Sequence, residues 1–387
     1  MLANLAATTG KPLEKARART RFDGKSGSGN LLGDAINTCF SRRAALRAAS
    51  ALAGSPLLTP LWGRAQAAAL FSPTVTEQRQ ALLASYRTTI LRLQAQSQLP
   101  IIDIEHHWGA RHRVAQLIDK MNRCGVALTW LGPNERNGSL SSIEACREFP
   151  DRLVPAIVHG DGPRWHGHEL SLVQAIDADA RSGQYFAMGE FESRHYVSNS
   201  NDRDIHMPLD SASFHAVFKA AQDTGLPFLL HHEAEDALLP ELEKMLQAYP
   251  QANLIWCHVG RNRNPKTWTE FPSAQGVERF ILKYPRLHFD IVQSGLKSVF
   301  PPTGAMDSIL YYGSNSAMLR PEWVKLFNTY PERFLIGSDI NTFRWNNYEQ
   351  VFDRLRNAVL QALTPQAAEM IAFKNAWRLM STEAWQG

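Results

Sequence analysis

From residue 98 to residue 340 the chain alternates short apolar runs with amphipathic stretches, and this alternation restricts the fold more than any other feature. Eight runs read as strands: 101–105, 126–131, 153–158, 185–191, 227–232, 253–260, 287–292 and 333–340. Most are rich in branched and aromatic residues, as strands buried on both faces are. The stretches between them read as helices. Over 113–125, Val114, Leu117, Ile118 and Met121 share one face and Gly125 supplies a stop. The stretch 210–225 opens on an acid and ends in glycine, while 238–250 and 276–285 end at Pro250 and Pro285. Eight such units in roughly 270 residues predict a (β/α)8 TIM barrel, an α/β fold, rather than an open doubly wound sheet. No G-x-G-x-x-G follows a strand, so neither a dinucleotide fold nor a phosphate loop is predicted. Residues 293–320 lack a period, and their length predicts a functional insertion covering the site.

Composition narrows the partners. With 44% hydrophobic and 20% charged residues the chain is ordinary globular material. Its net charge of +4 is concentrated in the first 67 residues, which hold 10 Lys and Arg against 3 acids. Residues 68–387 hold 31 against 34, so the body lacks the basic surface of a nucleic-acid partner. Within the N-terminal part, "SRRAALR" (41–47), an Ala/Leu-rich stretch and then Ala65-Gln66-Ala67 resemble a twin-arginine signal with its cleavage site. The expected organisation is a disordered extension (1–40), a signal peptide (41–67), a linker and helix (68–97) and the barrel (98–387). This organisation implies the twin-arginine export machinery as a partner and the periplasm as the location. No run of 18 apolar residues follows residue 75, so no stable membrane span is expected in the mature chain. Loss of the leader removes Cys39 and leaves Cys124, Cys146 and Cys257, which offer neither a disulfide framework nor a cysteine zinc site. A homo-oligomer is left open.

The ends of the strands carry the chemistry. In a TIM barrel the active site lies at the C-terminal ends of the strands. Side chains alternate along a strand, so Glu105 and His107 in "IIDIEHHW" share one face and His106 takes the other. Strand four ends in Glu190 and Glu192, strand five in His231 and His232, strand six in His258 and strand eight in Asp339. Strand three adds His159 as a further candidate. Without His159, five of eight strands end in a metal-competent side chain. Glu192 has Arg194 or Arg181 as candidate ion-pair partners. His195, His206 and His215 are placed on loops or helix faces without a role. Arg261 and Arg263 are candidates for an anionic substrate.

This pattern resembles the amidohydrolase superfamily, in its amidohydrolase-related branch. The marks are Asp103, Glu105 and His107 on strand one, "PFLLH" with His231, "LIWCHVG" with His258, "LIGSD" with Asp339, and the closing segment "IAFKNAWRLM" (371–380). Glu105 stands where most members have His, and Glu190 replaces a carbamylatable Lys. The resemblance implies a metal-dependent hydrolase of a small-molecule amide, ester or lactone. It implies one divalent ion, Zn2+ or Mn2+, on Glu105, His107, His231 and Asp339, with Glu190 bridging a second ion where one is present. The family's spacing after Pro227 favours His231 over His232. Asp339 would also shuttle the proton, and His258 would stabilise the oxyanion. Two alternatives are a metal-dependent non-oxidative decarboxylase of the same superfamily and a catalytically inactive periplasmic binding protein.

Overall fold

Eight parallel strands run in chain order around a nearly closed barrel. The computed structural model describes residues 74–109, 113–133, 138–157, 162–197, 204–259, 261, 264, 273–292, 299–300, 305–306, 309–312 and 316–387. The proposed leader, His159, Arg263 and most of 293–320 therefore lie outside the described residues. In chain order the principal elements are α1 (Val75–Ala95), β1 (Ile101–Trp108), α2 (Val114–Cys124), β2 (Val126–Pro133), α3 (Gly138–Glu148), β3 (Leu153–Ile157), α4 (Leu170–Arg181) and β4 (Ala187–His195). There follow α5 (Ala212–Thr224), β5 (Phe228–His232), α6 (Leu239–Ala248), β6 (Leu254–Trp256), α7 (Ala274–Lys283), β7 (Leu287–Asp290), α8 (Pro321–Thr329), β8 (Phe334–Leu335), α9 (Tyr348–Arg354) and α10 (Asn375–Ser381).

The helices start and stop where local chemistry dictates. Gly125 and Gly225 end α2 and α5 in the left-handed conformation that suits glycine. The side chain that caps α5 is Ser211, which accepts from the Phe214 N–H, and not the preceding Asp210. Helix α1 reaches the start of the barrel: the Tyr86 hydroxyl donates to the Leu153 carbonyl at 2.9 Å, and Arg79 donates to the carbonyls of Tyr185 and Met380. No helix among the described residues is long and apolar enough to cross a membrane.

Two strands are shorter than their apolar runs predict by five or more residues, and both departures serve the site. Strand β6 stops at Trp256 because the His258 N–H donates to the Asp290 carboxylate at 2.9 Å instead of to a ladder carbonyl. The chain then passes through left-handed backbone at His258 (φ 60°) and Val259 (φ 58°). Strand β8 keeps only Phe334 and Leu335, and the run beyond it closes the barrel onto β1 by single bonds. Ile104 N–H donates to Ile336 at 3.0 Å, Asp339 N–H to Glu105 at 2.9 Å and His107 N–H to Ile340 at 2.8 Å.

The buried Asp103 side chain reinforces this seam. It accepts the Ser338 N–H on Oδ1 at 2.9 Å and the Ser338 hydroxyl on Oδ2 at 2.8 Å. Burial nevertheless pushes its pKa up to about 7, against the pull of those donors. The seam thereby ties together the two segments that carry Glu105, His107 and Asp339.

Candidate metal centre

Glu105 and His107 project from one face of β1, as alternation requires. His106 takes the other face, near Trp345 and Tyr348. His107 Nε2 lies 3.8 Å from Glu105 Oε1, 3.3 Å from Glu190 Oε2 and 3.4 Å from Asp339 Oδ1. A second group shares Glu190. His231 Nδ1 lies 2.8 Å from Glu190 Oε1 and 3.1 Å from His258 Nε2, which is itself 3.4 Å from Glu190 Oε1. Glu190 therefore turns one oxygen to each group. Three overlapping donor sets each have their ligand atoms within 4.8 Å of one another: Glu105, His107, Glu190 and Asp339; Glu190, His231 and His258; and Glu105, His258 and Asp290. His231 is grouped with His258 and not with Glu105, His107 and Asp339.

His232 faces away from these sets. Its Nδ1 meets the Ser193 hydroxyl at 3.2 Å, and burial drives its pKa down to about 3. Glu192 pairs with His166 at 3.1 Å, on a helical turn after β3. The arginines expected beside it are engaged elsewhere: Arg194 with Glu235 and Asp204, and Arg181 with Asp177 and Asp223. His195, expected on a loop, ends β4, and its ring packs 4.4 Å from that of His231. His206 lies in a two-residue strand, and His215 is on α5. Arg261 is buried, and its carbonyl accepts the Ala234 N–H.

Sequence reasoning missed three neighbours. Asp290 ends β7, and its carboxylate is within ligand distance of Glu105 and His258. Glu233 Oε1 lies 3.6 Å from His231 Nε2. Arg344 Nη1 donates to Asp339 Oδ2 at 2.5 Å. Only Asp290 left a readable signal: an acid inside an apolar run is a departure that calls for a partner.

The electrostatics show an excess of buried anion. Among the described residues Glu105, Glu190, Asp290 and Asp339 converge, and Arg344 is the arginine paired with them. Burial raises the pKa of Glu105 well above the carboxylate range, and the charges of Asp290 and Glu190 add to it. Neither of its oxygens has a hydrogen-bond partner among the described residues. Burial opposes ionisation of Glu190 too, yet His231, His107 and His258 hold its pKa well below the usual value. For Asp339, burial is outweighed by the Arg344 charge and by His107. For His107, burial disfavours the cation, but Asp339, Glu105 and Glu190 together raise its pKa well above the ordinary value.

These residues fit a divalent cation. Burying an unpaired carboxylate costs several kcal/mol, so a set like this requires positive charge. Nitrogen and carboxylate donors without thiolate suit Zn2+ or Mn2+. Four tetrahedral ligands at 2.0–2.1 Å stand about 3.3 Å from one another. The separations around Glu190, from 2.8 to 3.4 Å in one set and 3.3 to 3.8 Å in the other, bracket that figure.

Glycine sets two of the approaches. A Cβ at Gly337 would meet Glu105 Oε2 at 3.0 Å and Val292 Cγ2 at 2.9 Å. At Gly189, beside Glu190, it would meet the Leu229 carbonyl oxygen at 2.5 Å, and the φ of +99° suits only glycine.

A family model described as amidohydrolase matches residues 141–380. Among curated proteins, none matches the chain. Among solved structures, an uncharacterised TIM-barrel protein from Bordetella bronchiseptica is similar at 13% identity and a TM-score of 0.47, covering 73% of this chain and 99% of that one. A 2,6-dihydroxybenzoate decarboxylase is similar at 11% identity and a TM-score of 0.47, covering 73% and 100%. An amidohydrolase from Burkholderia multivorans with bound zinc is similar at 14% identity and a TM-score of 0.43, covering 73% and 99%.

Proposed function

Because the chain belongs to the amidohydrolase family, we propose that it is a metal-dependent hydrolase that cleaves an amide, ester or lactone bond of a small molecule. The observation that carries the reading is the convergence of Glu105, His107, Asp339, His231 and His258 on the two oxygens of Glu190. Glu105, His107, Glu190 and Asp339 would hold one Zn2+ or Mn2+. Glu190, His231 and His258 would hold a second. This reading adopts the second ion that Glu190 was expected to bridge, and it moves His231 from the first ion to the second.

A divalent ion, when bound, polarises the scissile carbonyl and lowers the pKa of a water to about 7. Asp339 takes the water's proton and returns it to the leaving group. Its Oδ1 faces His107 while Oδ2 is held by Arg344, so the carboxylate enters the reaction ionised and oriented. Glu105 and Glu190 stay anionic once the cation is present and fix its place. His258, with Nε2 turned to Glu190 and His231, serves as a ligand and not as an oxyanion donor.

Metal analysis of the purified protein, followed by a panel of amides, esters and lactones, tests this reading. Close to two ions per chain and turnover lost on chelation are expected. Metal-free protein, or carbon dioxide release without hydrolysis of any panel member, would reject it. We further propose export through a twin-arginine signal to the periplasm, which Arg42, Arg43 and Ala65-Gln66-Ala67 support.

A further inference from the structure

Both imidazoles of the second ligand set have a fully buried carboxylate behind them. His231 turns Nδ1 to Glu190, and its far nitrogen, Nε2, lies 3.6 Å from Glu233 Oε1. His258 turns Nε2 to Glu190 and His231, and its far nitrogen, Nδ1, lies 3.7 Å from Asp290 Oδ1. Glu233 and Asp290 are both 0% exposed, so each carboxylate has its neighbouring protein groups as its surroundings. We infer that Glu233 and Asp290 are positioning residues that fix the tautomers of His231 and His258, so that the lone pairs of Nδ1 and Nε2 meet at one cation beside Glu190.

A neutral imidazole carries one N–H and one lone pair, and a carboxylate on one nitrogen keeps the N–H there. The other nitrogen is then left as a donor of its lone pair to a metal. Without Glu233 and Asp290 each ring could adopt the opposite tautomer, with an N–H pointing at the Glu190 oxygen and no lone pair for an ion. At 3.6 and 3.7 Å the pairs are longer than hydrogen bonds. His258 Nδ1 and Asp290 Oδ2 are buried and have no hydrogen-bond partner among the described residues, so a small ring rotation would satisfy both.

Asp290 has a second hold on His258. Its Oδ1 accepts the N–H of His258 at 2.9 Å and that of Val292 at 2.8 Å. The first of these bonds secures the left-handed turn at His258 that aims the ring inward. One carboxylate thus sets both the backbone position and the proton of this imidazole. Glu233 makes the matching contact to His231 from two residues further along the same chain segment.

This inference rests on the two-ion reading and is tested with metal alone. Asp290→Asn keeps an oxygen for the two backbone N–H groups but removes the charge that holds the His258 proton. Glu233→Gln does the same for His231 without touching a backbone bond of His258. Each variant is expected to bind its weaker Co2+ equivalent 10–100-fold less tightly, the usual effect of losing a partner behind a metal-bound histidine. The visible absorption of the Co2+ at that site should change, while the melting temperature of the metal-free protein stays that of the wild type. Unchanged Co2+ affinity and spectrum in both variants, in a wild type that binds two ions, would overturn this inference alone. A lower metal-free melting temperature in Asp290→Asn, with Glu233→Gln binding Co2+ like the wild type, would make Asp290 structural and overturn it as well. A wild type that binds no Co2+ would overturn both this inference and the hydrolase reading.

Discussion

At the scale of single residues, Asp339 and Gly337 make the sharpest claims. Asp339 stands between a cation, Arg344, and the ligand set, with one oxygen toward each. Asp339→Asn keeps the size and one donor oxygen but loses charge and basicity. Metal is expected to bind more weakly yet measurably. With metal in excess, turnover should fall by about 10²–10⁴-fold, the usual worth of general acid–base help. A variant near the wild-type rate would hand proton transfer to another group. Gly337 makes a steric claim. An alanine there presses on Glu105 and Val292, and both can move. Gly337→Ala should therefore release metal at a loss of about 1–3 kcal/mol in stability. Gly189→Ala meets backbone at β5 and carries the wrong φ, so it should lower the melting temperature more. Thermal melts with metal analysis of both variants check the order.

Between elements, the contact of β7 with α10 supplies a pH dependence. His288 is the second residue of β7 and is buried. Its Nδ1–H donates to the Arg286 carbonyl, and Arg378 of α10 lies 3.5 Å from Nε2. Burial, with Arg378 and Arg333 adding, pushes its pKa down to about 3 from 6.5. The folded protein thus leaves His288 neutral where the unfolded chain protonates it. Its contribution to stability is complete above pH 6.5 and is lost progressively as pH falls toward 3. Between those values one proton corresponds to a slope of about 1.4 kcal/mol per pH unit. His288→Gln should reduce the measured slope of unfolding free energy between pH 4 and 6 by about that amount. An unchanged slope would mean that His288 titrates normally in the fold. The same elements show what a sequence can reveal. Alternation in β1 is legible because the side-chain period belongs to a single strand, so Glu105 and His107 could be placed together before any fold was known. The barrel was legible for a related reason, since each strand–helix unit has its own local pattern. What lay hidden needed two segments at once. Nothing in "LIWCHVG" says that β6 ends at Trp256, because the acceptor of the His258 N–H is Asp290, 32 residues away. Nor can spacing separate ligand sets that meet through Glu190 and, by way of Asp290, through Glu105 and His258.

At the scale of the whole chain, charge is distributed by segment. The barrel region is slightly acidic, and the excess of base lies in the first 67 residues. A ligand set buried in a barrel is easiest to load where metal supply is controlled, before the chain crosses a membrane. The twin-arginine route carries folded proteins, so under the proposed export the enzyme would reach the periplasm already loaded. The route depends on the guanidinium pair, since lysine keeps the charge but not the planar, forked donor geometry. Arg42→Lys with Arg43→Lys should therefore leave the protein in the cytoplasm, folded and metal-bound. Because the pair lies before Ala65-Gln66-Ala67, the substitution leaves the barrel sequence untouched. Fractionation read beside metal content separates the two parts of the claim. Cytoplasmic protein with full metal supports export after loading. Cytoplasmic protein without metal would place loading after export, and normal periplasmic recovery of the double variant would remove the signal assignment altogether.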